Sequence, residues 1–435
     1  MVAVAKGWMM GVRPPVFVLA FVLLGSCLSL AVSLPARGEG EKLAFGGEIR
    51  FRGEGFDNLL DLDDSREARD DYEYYRLRAR LQVDAQPRDR LRLFFRLGNE
   101  YRFGRGVTNA GVRDSESKIS LDNGWVEIGA PPETHLSLRL GRQDLAYGEG
   151  FLIFDGTPAD GSSSAWFDAL LASYRPSGWS IDLFEAKIDD EGFGAETREE
   201  DLYGLYARRA PFDVYALHRK QERAVATRAG IVHPPQRTTA LGARFARLPE
   251  TGPFLAVEGA YEFGRRAGED ARAIGGVAHL GYTGSCERHG TLEAGAVALS
   301  GDDPETGDFE GWDDFYAEWP KYSELLIYTF SDNTTRIPND DPGAWTNLIG
   351  FWLEGKVNLE KRVVLALRGS RLLAPQETGP GGGDVRGWLA AGRLDVTFAP
   401  DLQGQLLAEW FDPGDFYAPG ADAAWYGRWQ IVARF

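Results

Sequence analysis

From residue 43 onward the chain carries no sustained 3.6-residue pattern. Apolar residues instead recur at every second position, in short runs divided by Gly, Pro, Asp and Asn clusters. A helix buries a stripe of period 3.6 and a strand a face of period 2, so this pattern excludes a helical bundle. The runs lie near 45–52, 75–84, 91–97, 117–129, 135–140, 166–175, 178–188, 201–209, 212–221, 238–247, 255–263, 271–283, 289–300, 345–357, 361–372, 385–398, 401–411 and 425–435, eighteen candidate strands. In the first, Phe45, Gly47, Ile49 and Phe51 alternate with Gly46, Glu48, Arg50 and Arg52.

The chemistry of the two faces separates a soluble sandwich from a membrane barrel. One face carries Leu, Val, Phe, Tyr, Trp and Gly, as a lipid-facing wall does; the other carries Arg, Glu, Gln and Asp, as a wet lumen does. A spanning strand needs only ~9–11 tilted residues, and closing the sheet pairs every backbone group that lipid could not satisfy. Mean hydropathy is −0.30, which rules out a bundle of membrane helices. Connections alternate in length: residues 87–90, 130–133, 176–178, 210–211, 358–361 and 400–401 are tight turns, whereas 57–72, 104–116, 144–165, 189–200, 222–237, 301–344, 373–384 and 412–424 are long. Short turns at one rim and long loops at the other suit an outer-membrane barrel. The expected architecture is therefore all-β, one transmembrane antiparallel β-barrel of about 18 strands spanning residues 37–435.

Residues 1–36 read as a cleaved secretory signal. Lys6 and Arg13 precede the apolar stretch 16–34, and Pro35 and Ala36 follow it. At the other end Phe435 closes an alternating strand with Trp425, Trp429, Ile431 and Ala433 on its apolar face. A terminal aromatic of this kind is what outer-membrane barrels present to their assembly machinery. Expected surroundings are outer-membrane lipid and lipopolysaccharide of a Gram-negative bacterium, with periplasmic export factors as further partners. Two cysteines define no disulfide framework, and a net charge of −17 argues against nucleic acid as a partner.

Chemistry concentrates in arginines on the polar faces: Arg50 and Arg52 on the first run, Arg76, Arg78 and Arg80 on the second, Arg92, Arg96 and Arg102 on the third, and Arg139 on the fifth. Strands lie ~4.8 Å apart, so the first eight form one dense wall. Two readings follow. The wall is a cationic track whose planar forks bind the carboxylates of a polyanion, or it is a lattice neutralised by Glu48, Glu54, Asp84, Glu100, Glu258, Glu262, Glu293 and Asp395 on the same faces. Catalytic and metal motifs are absent: no His-x-x-x-His, Cys-x-x-Cys or Gly-x-Ser-x-Gly occurs, and Cys286 near His289 reads as chance spacing. No cofactor is expected. Acidic loop residues such as Asp302, Asp303 and Glu305 could hold calcium, although their spacing is not that of an EF-hand.

Four segments resemble the alginate-export porin family. They are Gly141-Arg142-Gln143 with Tyr147 and Gly148; Phe167-Asp168; Ser300-Gly301-Asp302; and Pro413-Gly414-Asp415 before Phe416. The resemblance spans 45–435. It departs from the family at Ala165, where an arginine stands in the family pattern, and in residues 152–165, which lack a tryptophan-containing stretch. It implies an 18-stranded outer-membrane barrel that passively exports an anionic, alginate-like polysaccharide through an Arg-rich pore. The alternatives are a porin for other small organic anions or saccharides, an outer-membrane enzyme with a Ser or Thr nucleophile beside His135, His218 or His279, and a secreted soluble lectin or polysaccharide-degrading enzyme. Pore size would be set by an inward-folded loop, with 144–165 and 301–344 the candidates.

Overall fold

Each alternating run becomes a strand. The computed structural model describes residues 42–435 apart from 59–61, 64–71, 106–118, 130–134, 155–165, 190–199, 223–224, 227–231, 234, 267, 285–289, 318–322 and 326–345. The signal reading of 1–36, Ala165, Cys286 and His289 therefore lie outside the described residues. The strands are β1 Lys42–Asp57, β2 Tyr72–Arg88, β3 Leu91–Arg105, β4 Ser120–Ile128, β5 Leu136–Gln143, β6 Trp166–Tyr174, β7 Ser180–Asp189, β8 Glu200–Arg209, β9 Phe212–Gln221, β10 Val225–Ala226, β11 Val232–His233, β12 Gln236–Arg247, β13 Gly252–Arg266, β14 Glu269–Thr283, β15 Gly290–Leu299, β16 Leu348–Glu360, β17 Val363–Leu373, β18 Val385–Ala399, β19 Leu402–Pro413 and β20 Ala424–Arg434.

Strands β10 and β11 form a two-residue ladder of their own. The other 18 form one sheet. Each pairs antiparallel with its neighbour in the chain, β9 pairs with β12, and β20 pairs with β1 from Glu48 opposite Arg434 to Asp57 opposite Trp425. That last ladder closes the barrel and removes both sheet edges. The terminal residue completes it: Phe435 and Gly47 exchange both backbone hydrogen bonds, at 2.9 and 3.1 Å. The Phe435 ring covers Gly47 so closely that a Cβ there would lie 2.3 Å from it.

Period 2 sorts the side chains as the sequence requires. On β2, Tyr74, Arg76, Arg78 and Arg80 are buried inside while Leu81 is exposed on the outer wall. On β20, Tyr426 is buried and Trp425, Trp429 and Ile431 are exposed. Leu183, Leu241, Ile274, Leu292, Leu353 and Leu406 continue the apolar exterior round the ring. Long loops gather at one rim and tight turns at the other, with one exception. Strands β13 and β14 meet at the long-loop rim through residues 267–268 alone. Here the connection from β15 takes the place of a long turn: Phe309 pairs in parallel with Ala271 and exchanges backbone hydrogen bonds with Asp270 and Arg272.

The sidedness of β2 is testable at Ala79, which is exposed between buried Arg78 and Arg80. Arginine there would face hydrocarbon at a cost of ~2–4 kcal/mol near the midplane. Ala79→Arg is expected to lower the yield of heat-modifiable, folded barrel several-fold. Normal assembly of that variant would mean that the inside and outside of β2 are reversed.

Candidate conduction path

The arginines of the wall stand together, but each already has a carboxylate within ion-pair distance. Glu100 of β3 gathers three guanidiniums, from Arg76 at 2.8 Å and from Arg50 and Arg102 at 3.0 Å each. Glu54 takes Arg52 at 3.3 Å and Arg76 at 3.4 Å, and accepts the Tyr426 hydroxyl. Arg52 also donates twice to Gln430. Arg78 pairs with Glu48. Asp122 of β4 bridges Arg80 and Arg96, at 3.2 and 2.6 Å, and Asp144 takes a second branch of Arg96 at 3.2 Å. Arg92 pairs with Asp84, and Arg139 with Glu127 at 2.8 Å. Arg50 and Arg52 are only 1% exposed. A guanidinium buried against carboxylates has no face left for a passing anion, and losing its partner is costly. On β1 and β2 the lattice reading describes the geometry. Arg92, Arg102 and Arg139 keep more accessible surface.

Both candidate loops fold inward, and they meet. Residues 144–154 enter from β5 and residues 300–317 from β15. Phe154 N donates to Tyr316 O at 2.7 Å and Tyr316 N donates to Leu152 O at 2.8 Å. The Phe151 and Trp312 rings lie 5.1 Å apart, both buried. Charged groups seat the pair on the wall. Glu149 receives Arg244 Nε at 2.8 Å, and its own N–H donates to Glu258. His279 stands 3.4 Å from both Glu149 and Glu293. The hydrogen bond from His279, with the Arg244 guanidinium beside it, holds the Glu149 carboxyl down to about 2. Arg219 reaches Asp313 at 2.8 Å and Glu200 at 3.1 Å, and Tyr316 donates its hydroxyl to Glu200. Further along the same loop, the Ser323 hydroxyl and the Leu325 N–H donate to Glu409 of β19, and Glu324 pairs with Arg428 of β20. From β9 to β19 is eight steps round an eighteen-strand ring, so this loop touches nearly opposite walls.

Further guanidiniums, several of them partly accessible, cluster in two clefts. One, of about 150 Å³, is lined by Arg139, Arg175 and Arg208 with Glu127, Asp144 and Asp182. Arg208 lies over the Tyr147 and Tyr206 rings, 5.9 and 5.8 Å from their centres, and Arg139 lies 4.2 Å over Trp125. The other, of about 180 Å³, is lined by Arg368, Arg393 and Arg428 with Glu324, Glu354 and Glu409. Arg368 sits 4.6 Å over Trp352. Arg175, Arg208 and Arg393 keep about two-fifths of their side-chain surface accessible. The sequence reading missed these residues because it followed strands dense in arginine. The alternation that placed Arg78 inside also places the isolated Arg208, Arg368 and Arg393 inside.

The family-like segments do not line the clefts as a set; they hold loops. Arg142 and Asp168 face each other across β5 and β6 and pair at 2.7 Å on the outer face. Gln143 is buried and donates to Gly141 O and Ala169 O. Phe167 packs edge-on to Tyr316 at 5.5 Å. Tyr147 stacks on Tyr206 and Phe184 at 4.5 and 5.6 Å. Gly148 has φ +59° and lies so close to Glu258 that a Cβ would meet its carboxylate at 2.5 Å, which glycine alone tolerates. Ser300 O receives the N–H groups of Trp312 and Asn347, both at the base of the second loop. Gly301 leaves room for Asn347, and Asp302 accepts the Glu310 N–H at 2.9 Å. Pro413 ends β19, Gly414 N donates to Arg386 O, and Asp415 accepts the Val385 N–H. Among the described residues no three His, Cys, Asp or Glu side chains gather as a metal-ligand set.

Comparison with known proteins gives one family and one fold. The family model for alginate export matches residues 41–430. No curated protein matches the chain. Among solved structures, Pseudomonas aeruginosa OccK2 (OpdF) in complex with glucuronate aligns at a TM-score of 0.57 with 12% identity, covering 91% of this chain and 98% of that one. OpdK of the same organism with vanillate aligns at 0.57 with 11% identity, covering 90% and 98%. OccK5 (OpdH) aligns at 0.54 with 12% identity, covering 91% and 98%.

The inward loops should limit conductance. Trp312→Ala removes the ring that packs on Phe151, a truncation that costs ~3–5 kcal/mol of local packing. It is expected to raise the single-channel conductance in a planar bilayer. A folded variant with unchanged conductance would show that the loops do not set the pore.

Proposed function

The chain belongs to the alginate export family, and from that premise we propose that it passes an acidic saccharide through the outer membrane by diffusion, with no energy source of its own. The family and the barrel are those of porin-type channels of the Gram-negative outer membrane. The observation that carries the substrate reading is the pair of three-arginine clefts in the lumen. Guanidinium forks suit carboxylates, and partly accessible arginines with carboxylate neighbours bind weakly enough to release a permeant. Rings beside them, Trp125, Tyr147 and Trp352, offer apolar faces to sugar C–H groups. Each cleft sets its three arginines among three carboxylates, and two of these, Asp144 and Glu324, come from the inward loops, so a permeant meets this mixed lining rather than the net charge of the chain.

A second reading, a porin for small organic acids, is favoured by the loops that fold into the lumen. A relative in fold binds glucuronate, a single uronate. Block of ion current by oligouronates and by monomeric glucuronate separates the two: a polymer channel is blocked more strongly as chain length grows, a monomer channel is not. In the oligouronate assay, Arg208→Gln and Arg393→Gln are each expected to weaken block roughly tenfold, the scale of one charge-assisted hydrogen bond. Arg78→Ala is expected to leave block unchanged and to destabilise the barrel by about 1.5–3 kcal/mol, the scale of a hydrogen bond to a charged group, because Glu48 keeps only the more exposed Arg434 as a partner. Loss of block in a stable Arg78→Ala barrel would restore the β1–β3 wall as the track. Phe435 we assign to recognition by the barrel-assembly machinery. A Phe435→Asp chain should be exported yet assemble poorly, and normal assembly would refute the assignment.

A further inference from the structure

The exterior of the barrel carries a feature that a channel does not need. On β5, β6, β7 and β8, Arg142, Asp168, Lys187 and Asp201 are direct register partners in sequence, each facing the next. The row continues without a break onto β9, β12, β13 and β14 through Lys220, Arg237, Arg265 and Asp270. All eight alternate with lumen-facing neighbours such as Gln143, Phe167, Ile188, Leu202, Gln221 and Gln236, which are buried. All eight therefore point outward, at the long-loop end of their strands. Outward charges cost least at the headgroup boundary and most at the midplane. The row thus marks where hydrocarbon ends over nearly half the wall. Exposed Leu140, Leu170, Tyr203, Phe263 and Ile274 follow on the hydrocarbon side.

The row's two halves differ. The first neutralises itself, Arg142 with Asp168 and Lys187 with Asp201. The second places three bases, Lys220, Arg237 and Arg265, directly opposite one another on adjacent strands, an arrangement that repels. Arg272 on β14 adds a fourth outward base. The chain offsets part of this. Glu222 lies 2.7 Å from Lys220 and 3.4 Å from Arg237, Asp270 lies 3.5 Å from Arg265, and Asp308 lies 3.4 Å from Arg272. Four bases meet three carboxylates, and Arg237, Arg265 and Arg272 remain largely exposed.

We propose that Lys220, Arg237 and Arg265 bind the phosphate groups of a phosphorylated glycolipid in the outer leaflet. Neighbouring strands hold the bases ~5 Å apart, so one phosphate can span two of them. Their position at the hydrocarbon edge lets an acyl chain lie along the apolar wall below. That combination selects a lipid over a free anion.

The test uses the full-length protein in detergent, titrated with lipid A and read by native mass spectrometry. Lys220→Gln, Arg237→Gln and Arg265→Gln are combined, and heat modifiability confirms folding. Each charge near a headgroup contributes about fivefold to binding, so the triple variant is expected to bind roughly a hundredfold more weakly. Should it fail to fold, Arg237→Gln alone is expected to lose about fivefold. Lys187→Gln, in the self-neutralised half, should bind as wild type. Dephosphorylated lipid A should bind far more weakly than the phosphorylated form. Equal affinity of the Gln variants and wild type, or equal binding of the dephosphorylated lipid, overturns the proposal. Displacement of the lipid by equimolar inorganic phosphate overturns the lipid assignment in favour of a simple anion site.

Discussion

The closing ladder between β1 and β20 is the constraint from which the rest follows. Unpaired backbone groups have no partner in hydrocarbon, so the sheet has to meet itself. Once Glu48 stands opposite Arg434 and Phe435 shares its backbone hydrogen bonds with Gly47, period 2 divides every strand between lipid and lumen. A shift by one residue would turn Arg76, Arg78 and Arg80 toward lipid together. Closure therefore fixes both where the apolar wall lies and which charges crowd inside it.

Crowding explains why the densest charges are not the most available ones. Three adjacent strands bring guanidiniums within one strand spacing of each other, and only interleaved carboxylates make that arrangement stable. Glu100, with three arginines around it, and Asp122, with two, act as the nodes. Where arginines are sparse, as at Arg208 and Arg393, the guanidinium keeps accessible surface. The inward loops use the same physics, with Glu149 on Arg244 and Asp313 on Arg219 fixing their position against the wall.

Most of the fold was legible in the sequence. All eighteen alternating runs correspond to barrel strands, because period 2 is imposed by a lipid face and a wet face at once. Strand ends were less legible: β1 to β3 extend beyond the alternating runs, since backbone pairing continues where side-chain contrast fades. The short link between β13 and β14 escaped notice because its compensation, a parallel bridge from Phe309, is not local in sequence. The same holds at the candidate site. Arginine positions could be read from alternation, but their partners depend on register between strands. Asp122 and Asp144, which take Arg80 and Arg96, were therefore not foreseen. The family-like residues were recognisable as motifs, yet their work in seating loops appears only when Tyr147, Phe167 and Ser300 are seen beside the segments they hold.

The central claim is that the lining of the lumen, its inward loops included, decides what the channel passes, and the net charge of the chain does not. Loop charges in water are screened beyond ~8 Å at physiological salt, whereas the arginines of the clefts border the path itself. The most direct measurement is the zero-current potential of the purified barrel in a planar bilayer under a potassium chloride gradient. The account requires the sign of an anion-selective pore despite a net charge of −17. A cation-selective potential would contradict it.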